Sequence, residues 1–267
     1  MAPAYAQRIV CLTEETTETL YLLGEEARIV GISGFTVRPP RARREKPKVS
    51  AFLTAKIDRI LELEPDLVLG FSDLQADIAA ELIRHGVPVH VFNHRSVDEI
   101  LSMICTVGAL IGEQQKAEAL AASMTKHIDE IRAEAAVDKK RPRVYFEEWD
   151  DPLLSGIRWV SELVSIAGGE DCFPELASQP LGKDRIIADP GEVIRRAPDI
   201  IIGSWCGKKF RPERVAERDG WQVIPAVGDK QVFEVKSALI LQPGPAALTD
   251  GLDALREIIR GWQALHA

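Results

Sequence analysis

Short apolar runs alternate along this chain with longer amphipathic stretches, and the two periods predict strands and helices in turn. Arg8–Leu12 (RIVCL) reads as a short buried strand and Glu14–Leu23 as a helix that Thr13 can cap and Gly24 can close. Arg28–Ser33 (RIVGIS) is a second strand. The segment from Gly34 to Ser50, with three prolines and six basic residues, is too polar and broken to be an element. The alternation resumes with helix Ile57–Leu63, strand Asp66–Phe71, helix Asp73–His85, strand Val87–Phe92 and helix Val97–Ile111. Strands that alternate with helices mean a parallel α/β sheet.

Near the middle of the chain the pattern changes. Glu113–Ala136 runs 24 residues without Gly or Pro, and Ala117, Leu120, Ala121, Met124, Ile128, Ile131 and Ala135 recur at three- and four-residue steps. That stripe predicts one long amphipathic helix, about 36 Å at 1.5 Å per residue, stopped near Pro142. Beyond it the strand–helix pattern starts again: strand Arg143–Phe146, helices Arg158–Ala167 and Gly191–Arg196, strand Asp199–Ser204, helix Pro212–Arg218, strand Gln231–Val235 and a closing helix Ala247–Leu265.

The two halves also match in detail. Ile60–Gly70 (ILELEPDLVLG) aligns with Val193–Gly203 (VIRRAPDIIIG) at an offset of 133, and Arg8-Ile9-Val10 with Arg143-Val144-Tyr145 at an offset of 135. Two repeats on either side of an uninterrupted helix predict two Rossmann-like α/β lobes, each with a mostly parallel sheet, bridged by a single long helix. The expected boundaries are 1–112 for the first lobe, 113–140 for the bridge and 141–267 for the second lobe.

A chain of 267 residues, 46% hydrophobic, can bury a proper core, and its net charge of -8 argues against broad binding to nucleic acid or an anionic membrane. No run is long and apolar enough to span a bilayer. The four cysteines, Cys11, Cys105, Cys172 and Cys206, are scattered, so neither a zinc motif nor a disulfide framework is indicated. The opening MAPAYAQ lacks the charged and apolar regions of an export signal, although Ala4-Tyr5-Ala6 looks like the small-x-small end of a leader. Two origins stay open: a cytoplasmic protein, or a chain begun at a cleavage site. No G-x-G-x-x-G, P-loop, G-x-S-x-G or H-E-x-x-H motif is present, so enzymatic activity is not expected, although Glu14, Glu15, Glu147 and Glu148 are carboxylates suited to acid–base work.

Read together, RIVCLTEETTETLYLLG, RIVGISGFTVRPP, KIDRILELEPDLVLGF, the bridging helix, ELVSIAGGEDCF and VIRRAPDIIIGS resemble the helical-backbone (class III) substrate-binding proteins of ABC transporters. Within that class the cobalamin- and ferric-siderophore-binding family is closest. The resemblance implies periplasmic capture of a bulky, rigid ligand, a corrinoid such as cobalamin or a related metal chelate, held between the lobes by loops at the carboxyl ends of the strands. No cofactor is required, and a monomer is expected. A cytoplasmic binding or sensing protein of the same fold, for an anionic metabolite or metal complex, is the alternative.

Candidate ligand contacts follow. In the first lobe they are Thr13, Glu14 and Glu15 at a helix start, Phe35 and Arg38 after the second strand, and Phe52, Phe71, Asn93 and His94. Phe52 and Phe71 fall where cobalamin-binding relatives carry pocket aromatics, whose flat faces suit a macrocycle. In the second lobe the candidates are Glu148, Trp149, Arg158, Trp159, Arg185, Trp205 and Lys236. Arg185 stands where those relatives tend to have a large aromatic. With Arg38, Arg158, Lys183 and Lys236 it could instead form a pocket for a carboxylate or phosphate. Cys11, His94 and Cys206 lie at strand ends and are candidate soft ligands to a metal. The family docks on its permease through an acidic residue on each lobe. Asp73 and Asp77 are the first-lobe counterparts, but the second lobe reads Lys208-Lys209-Phe210-Arg211-Pro212-Glu213-Arg214, basic, with Glu213 as its only acid.

Overall fold

The computed structural model describes residues 5–266, so Met1–Ala4 of the leader-like opening lies outside the described residues. The chain divides into two compact α/β units, an N-terminal one holding residues up to His94 with Asp98–Thr125, and a C-terminal one holding Arg95–Val97 with Lys126 onward.

In the N-terminal unit, β1 (Ile9–Cys11), β2 (Ile29–Ser33), β3 (Lys48–Ser50), β4 (Leu67–Phe71) and β5 (Val89–Phe92) form a sheet in the order β3-β2-β1-β4-β5. Every pairing is parallel, so all five carboxyl ends share one edge. β1 and β4 are apolar throughout because helices cover both of their faces. Val10, Leu12, Val49, Ile60, Val68, Leu82 and Val87 pack together in this unit's core.

The Gly34–Ser50 segment corrects the sequence reading. It contains a short helix, Ala42–Glu45, and ends in the edge strand β3. Ile32 pairs with Lys48 and Ser33 with Ser50, and Val49 is the only apolar residue of the strand. An edge strand of alternating polar and apolar residues among prolines leaves no apolar run to read.

In the C-terminal unit, β6 (Arg143–Asp150), β7 (Leu153–Ser155), β9 (Ile200–Gly203) and β10 (Val232–Glu234) run in the order β10-β9-β6-β7, and β8 (Glu170–Asp171) also pairs with β6. Only β7 is antiparallel, returning directly after β6. The strand expected at Arg143–Phe146 extends through the charged residues Glu147–Asp150, because β7 pairs with that extension. The two short strands β7 and β8 were not anticipated from sequence.

The long helix is Gln114–Ala136, 23 residues, and the chain passes from one unit to the other within it, between Thr125 and Lys126. Its predicted stripe is buried at Ala117, Ala121, Met124, Ile128, Ile131 and Ala135, with Leu120 half-buried. In the N-terminal unit it approaches helix Val97–Ile111 so closely that a Cβ at Gly108 would stand 2.2 Å from that of Ala117, which is why the crossing needs glycine.

The sequence repeat is a repeat of hydrogen bonding. Asp66 accepts the backbone N–H groups of Gln7 and Arg8 at 2.8 Å, and Asp199 accepts that of Arg143 at 2.8 Å. The Arg8 side chain donates to the carbonyls of Leu63 and Glu64, and that of Arg143 to Arg196. Glu64 and Ala197 both turn into the left-handed region, φ 44° each, just before the Pro-Asp pair. Each unit therefore locks the start of its central strand to the end of a preceding helix with the same Asp and Arg.

Candidate ligand-binding site

The first helix, Glu14–Leu22, begins at the carboxyl edge of the N-terminal sheet and places Glu14, Glu15 and Glu18 in its first turns, all buried. Thr13 stands at the N-cap position in extended backbone, but its hydroxyl caps no backbone N–H. It donates instead to Glu15 Oε1 at 2.5 Å, which corrects the capping role expected from sequence. Glu18 Oε1 accepts from Arg38 Nε at 2.8 Å, and Glu14 Oε2 accepts from the Val37 N–H at 3.2 Å. Burial pushes Glu14 up to about 8 and Glu15 up to about 7, and neighbouring carboxylates add to both shifts.

The rest of this edge is aromatic. Phe35 is 60% exposed after β2, Phe52 is half-buried after β3, and Phe71 ends β4 in an edge-on contact with His94 at 5.0 Å. Gln75, missed in the sequence, ties two of these together: its Oε1 accepts the Phe71 N–H and its Nε2 donates to the Phe52 carbonyl, each at 2.9 Å. Asn93 is exposed and His94 buried at the end of β5.

In the C-terminal unit the charged end of β6 is neutralised side chain by side chain. Glu147, with no exposed surface, accepts from Arg218 at 2.5 and 2.9 Å, from Trp205 Nε1 at 3.0 Å and from the Tyr145 hydroxyl at 3.1 Å. Glu148 is gripped by both guanidinium nitrogens of Arg185, at 2.6 and 3.1 Å. Asp150 takes Lys208 Nζ at 2.6 and 2.7 Å, and the ammonium lies 4.9 Å from the Trp205 ring centre and 5.2 Å from that of Trp149. Glu147, Asp150, Lys208 and Arg218 were not singled out as ligand contacts. The only signal for the acids was the acidic run closing an apolar strand, and their cations lie 58 to 71 residues away in the chain.

Four of the five cationic candidates stand in ion pairs. Arg38 is held by Glu18, Arg158 by Glu162, Arg185 by Glu148 and Lys236 by Glu234. Arg185 is only 2% exposed and also donates to the Ser155 carbonyl. Lys183 is exposed. Trp159 is buried, with its indole N–H on the Ile240 carbonyl at 2.8 Å, so it serves packing. Trp205 likewise spends its N–H on Glu147, whereas Trp149 stays half-exposed.

Cys11 is wholly inside the sheet, and burial pushes its thiol up to about 12, far from the thiolate that metals bind. Cys206 is exposed. Among the described residues no group of three or more His, Cys, Asp or Glu side chains is arranged to hold a metal ion. Asp73 and Asp77 are exposed, as are Lys209, Arg211, Glu213 and Arg214.

The sequence profile of a family described as periplasmic binding protein matches residues 9–239. The chain belongs to that family. The match spans both units, and the fold is that of the helical-backbone substrate-binding proteins of ABC transporters. The family's members bind solutes outside the cytoplasm and are not enzymes. Among relatives, the vitamin B12-binding protein of Vibrio parahaemolyticus is 25% identical over 256 residues, covering 93% of this chain and 88% of that protein. Among solved structures, the periplasmic vitamin B12-binding protein BtuF of Vibrio cholerae superposes with a TM-score of 0.77 at 22% identity, covering 97% of this chain and 98% of that one. The periplasmic heme-binding protein RhuT of a Roseiflexus species reaches 0.79 at 24% identity, covering 95% and 99%. Among the described residues of this periplasmic binding protein, no helix is long and apolar enough to cross a membrane.

Proposed function

We propose that this protein captures a corrinoid or closely related metal chelate, using the carboxyl edges of its two sheets, and delivers it to an ABC permease. The observation that carries the reading is the local neutralisation of charge at these edges. Arg38, Arg158, Arg185 and Lys236 are each engaged by a carboxylate, while Phe35, Phe52 and Trp149 keep exposed or half-exposed rings. In each unit, exposed rings beside paired charges suit a broad, flat ligand with little net charge. An anionic metabolite would have to displace those carboxylates one by one, each a charge-assisted contact. Relatives named for vitamin B12 binding point the same way.

Thr13, Glu14, Glu15, Phe35, Phe52, Phe71, Asn93, His94, Glu148 and Trp149 are the proposed contacts. The working organisation is a first lobe at 1–112, a bridge at 113–140 and a second lobe at 141–267. Titration calorimetry and thermal shift with cobalamin, cobinamide and haemin test the ligand class. Saturable heat and a raised melting temperature with a corrinoid are expected, and the absence of both with cobalamin and cobinamide would remove that class.

A further inference from the structure

Three buried carboxyls share the start of the first helix, and their oxygens are not equally used. Glu15 Oε1 takes the Thr13 hydroxyl, Glu18 Oε1 takes Arg38, and Glu14 Oε2 takes the Val37 N–H. Glu14 Oε1 is buried without a hydrogen-bond partner, in a residue only 3% exposed. A polar oxygen left in this condition is destabilising until something bonds to it. What lies on the carboxyl is one contact, at 3.2 Å, from the loop that carries the exposed ring of Phe35. That contact falls on Oε2 and leaves Oε1 uncommitted, in the first turn of the helix that starts at the carboxyl edge of the sheet.

We propose that the Glu14 carboxyl is the recognition group for a primary amide on the edge of the ligand. An undissociated carboxyl and a primary amide pair through two parallel hydrogen bonds, the acid O–H donating to the amide oxygen and the amide N–H donating to the acid carbonyl. Glu14 can meet this demand because Oε1 is uncommitted and Oε2 has a lone pair beyond the Val37 bond. The charged groups facing it are Glu15, Glu18 and Arg38, so two carboxyls and one guanidinium surround it. Burial and the two carboxyls push it up to about 8 against the opposing pull of the Val37 N–H and Arg38, which keeps its proton on at neutral pH. A ligand edge bearing carboxylates meets three carboxyls and a guanidinium already taken by Glu18. The site therefore selects a macrocycle rimmed with amides over one rimmed with carboxylates. The inference rests on the corrinoid reading above and adds the group that enforces it.

The test is calorimetric binding of cobinamide, whose ring edge carries primary amides, to wild type, Glu14→Ala and Glu14→Gln at pH 6.5 and pH 9. Wild type is expected to bind about tenfold more weakly at pH 9, where the buried carboxyl ionises and loses its O–H. Glu14→Ala is expected to lose about tenfold at pH 6.5. Glu14→Gln, which keeps the shape should the alanine variant fail to fold, is expected to bind a few-fold more weakly at pH 6.5, with a further loss at pH 9 well below that of wild type because only Glu15 still ionises in this range. Cobinamide binding unchanged in Glu14→Ala, or a loss at pH 9 in Glu14→Gln as large as that of wild type, overturns this inference alone. Failure of wild type to bind cobinamide or cobalamin at either pH overturns the corrinoid reading and this inference with it.

Discussion

The N-terminal and C-terminal units begin their central strands alike, with Asp66 and Asp199 accepting backbone N–H groups and Arg8 and Arg143 reaching back to helix ends. At the opposite, carboxyl edge they part company. The C-terminal unit matches every acid of Glu147, Glu148 and Asp150 to its own cation, Arg218, Arg185 and Lys208. The N-terminal unit sets Glu14, Glu15 and Glu18 against the guanidinium of Arg38 and leaves one carboxyl oxygen unpartnered. Each network keeps one buried polar atom without a partner, Glu14 Oε1 in the N-terminal unit and Arg185 Nε in the C-terminal one, so the edges differ in charge pairing: three acids to three cations in one, three acids to one cation in the other. The shared strand start is thus a matter of folding, and the difference between the edges is a matter of recognition.

The largest effect should come from unbalancing the C-terminal edge. Arg218→Met leaves the Glu147 carboxylate buried with only Tyr145 and Trp205 as donors, and a loss of about 3–5 kcal/mol in urea unfolding is expected. A loss below about 1 kcal/mol would show that the edge is not held by that pair.

Next comes the N-terminal edge. Glu14 titrates near 8 when folded against an ordinary 4.5, so the folded state holds its proton more tightly. Its stabilising contribution is complete below about 4.5 and is lost as pH rises toward about 8. Relative to wild type, Glu14→Gln should therefore gain stability between pH 5 and pH 8.5, on the order of 3 kcal/mol by chemical denaturation. Equal pH profiles for the two proteins would contradict this.

The smallest effect should be the most symmetrical. Asp66→Ala and Asp199→Ala each remove a carboxylate from the start of a central strand, and about 1–2 kcal/mol is expected from each. Melting curves that show one loss several times the other would break the equivalence of the two strand starts.

Sequence made some of this legible and hid the rest for physical reasons. The long helix was readable because its stripe recurs over about five turns, and burial follows it at all but Leu120. The Pro-Asp repeat was readable because both copies serve one hydrogen-bonding need. β3 was hidden because only Val49 of its three residues needs to be apolar, and β7 and β8 are too short to show a period. The carboxyl edges were legible as places but not as chemistry. Arg38, Arg158 and Arg185 look like free cations in the sequence, and only the fold reveals that Glu18, Glu162 and Glu148 hold them. Glu14 and Glu15 stand out in the sequence as candidate contacts at a helix start, yet nothing local distinguishes a solvated helix-start acid from one buried and protonated.

The contrast between the edges turns on whether the N-terminal acids keep their protons. A carbon-detected NMR titration of the glutamate side chains, assigned with Glu14→Gln and Glu15→Gln, measures this directly. Midpoints near 8 for Glu14 and near 7 for Glu15 are predicted, and midpoints at the ordinary 4.5 for both would contradict the account.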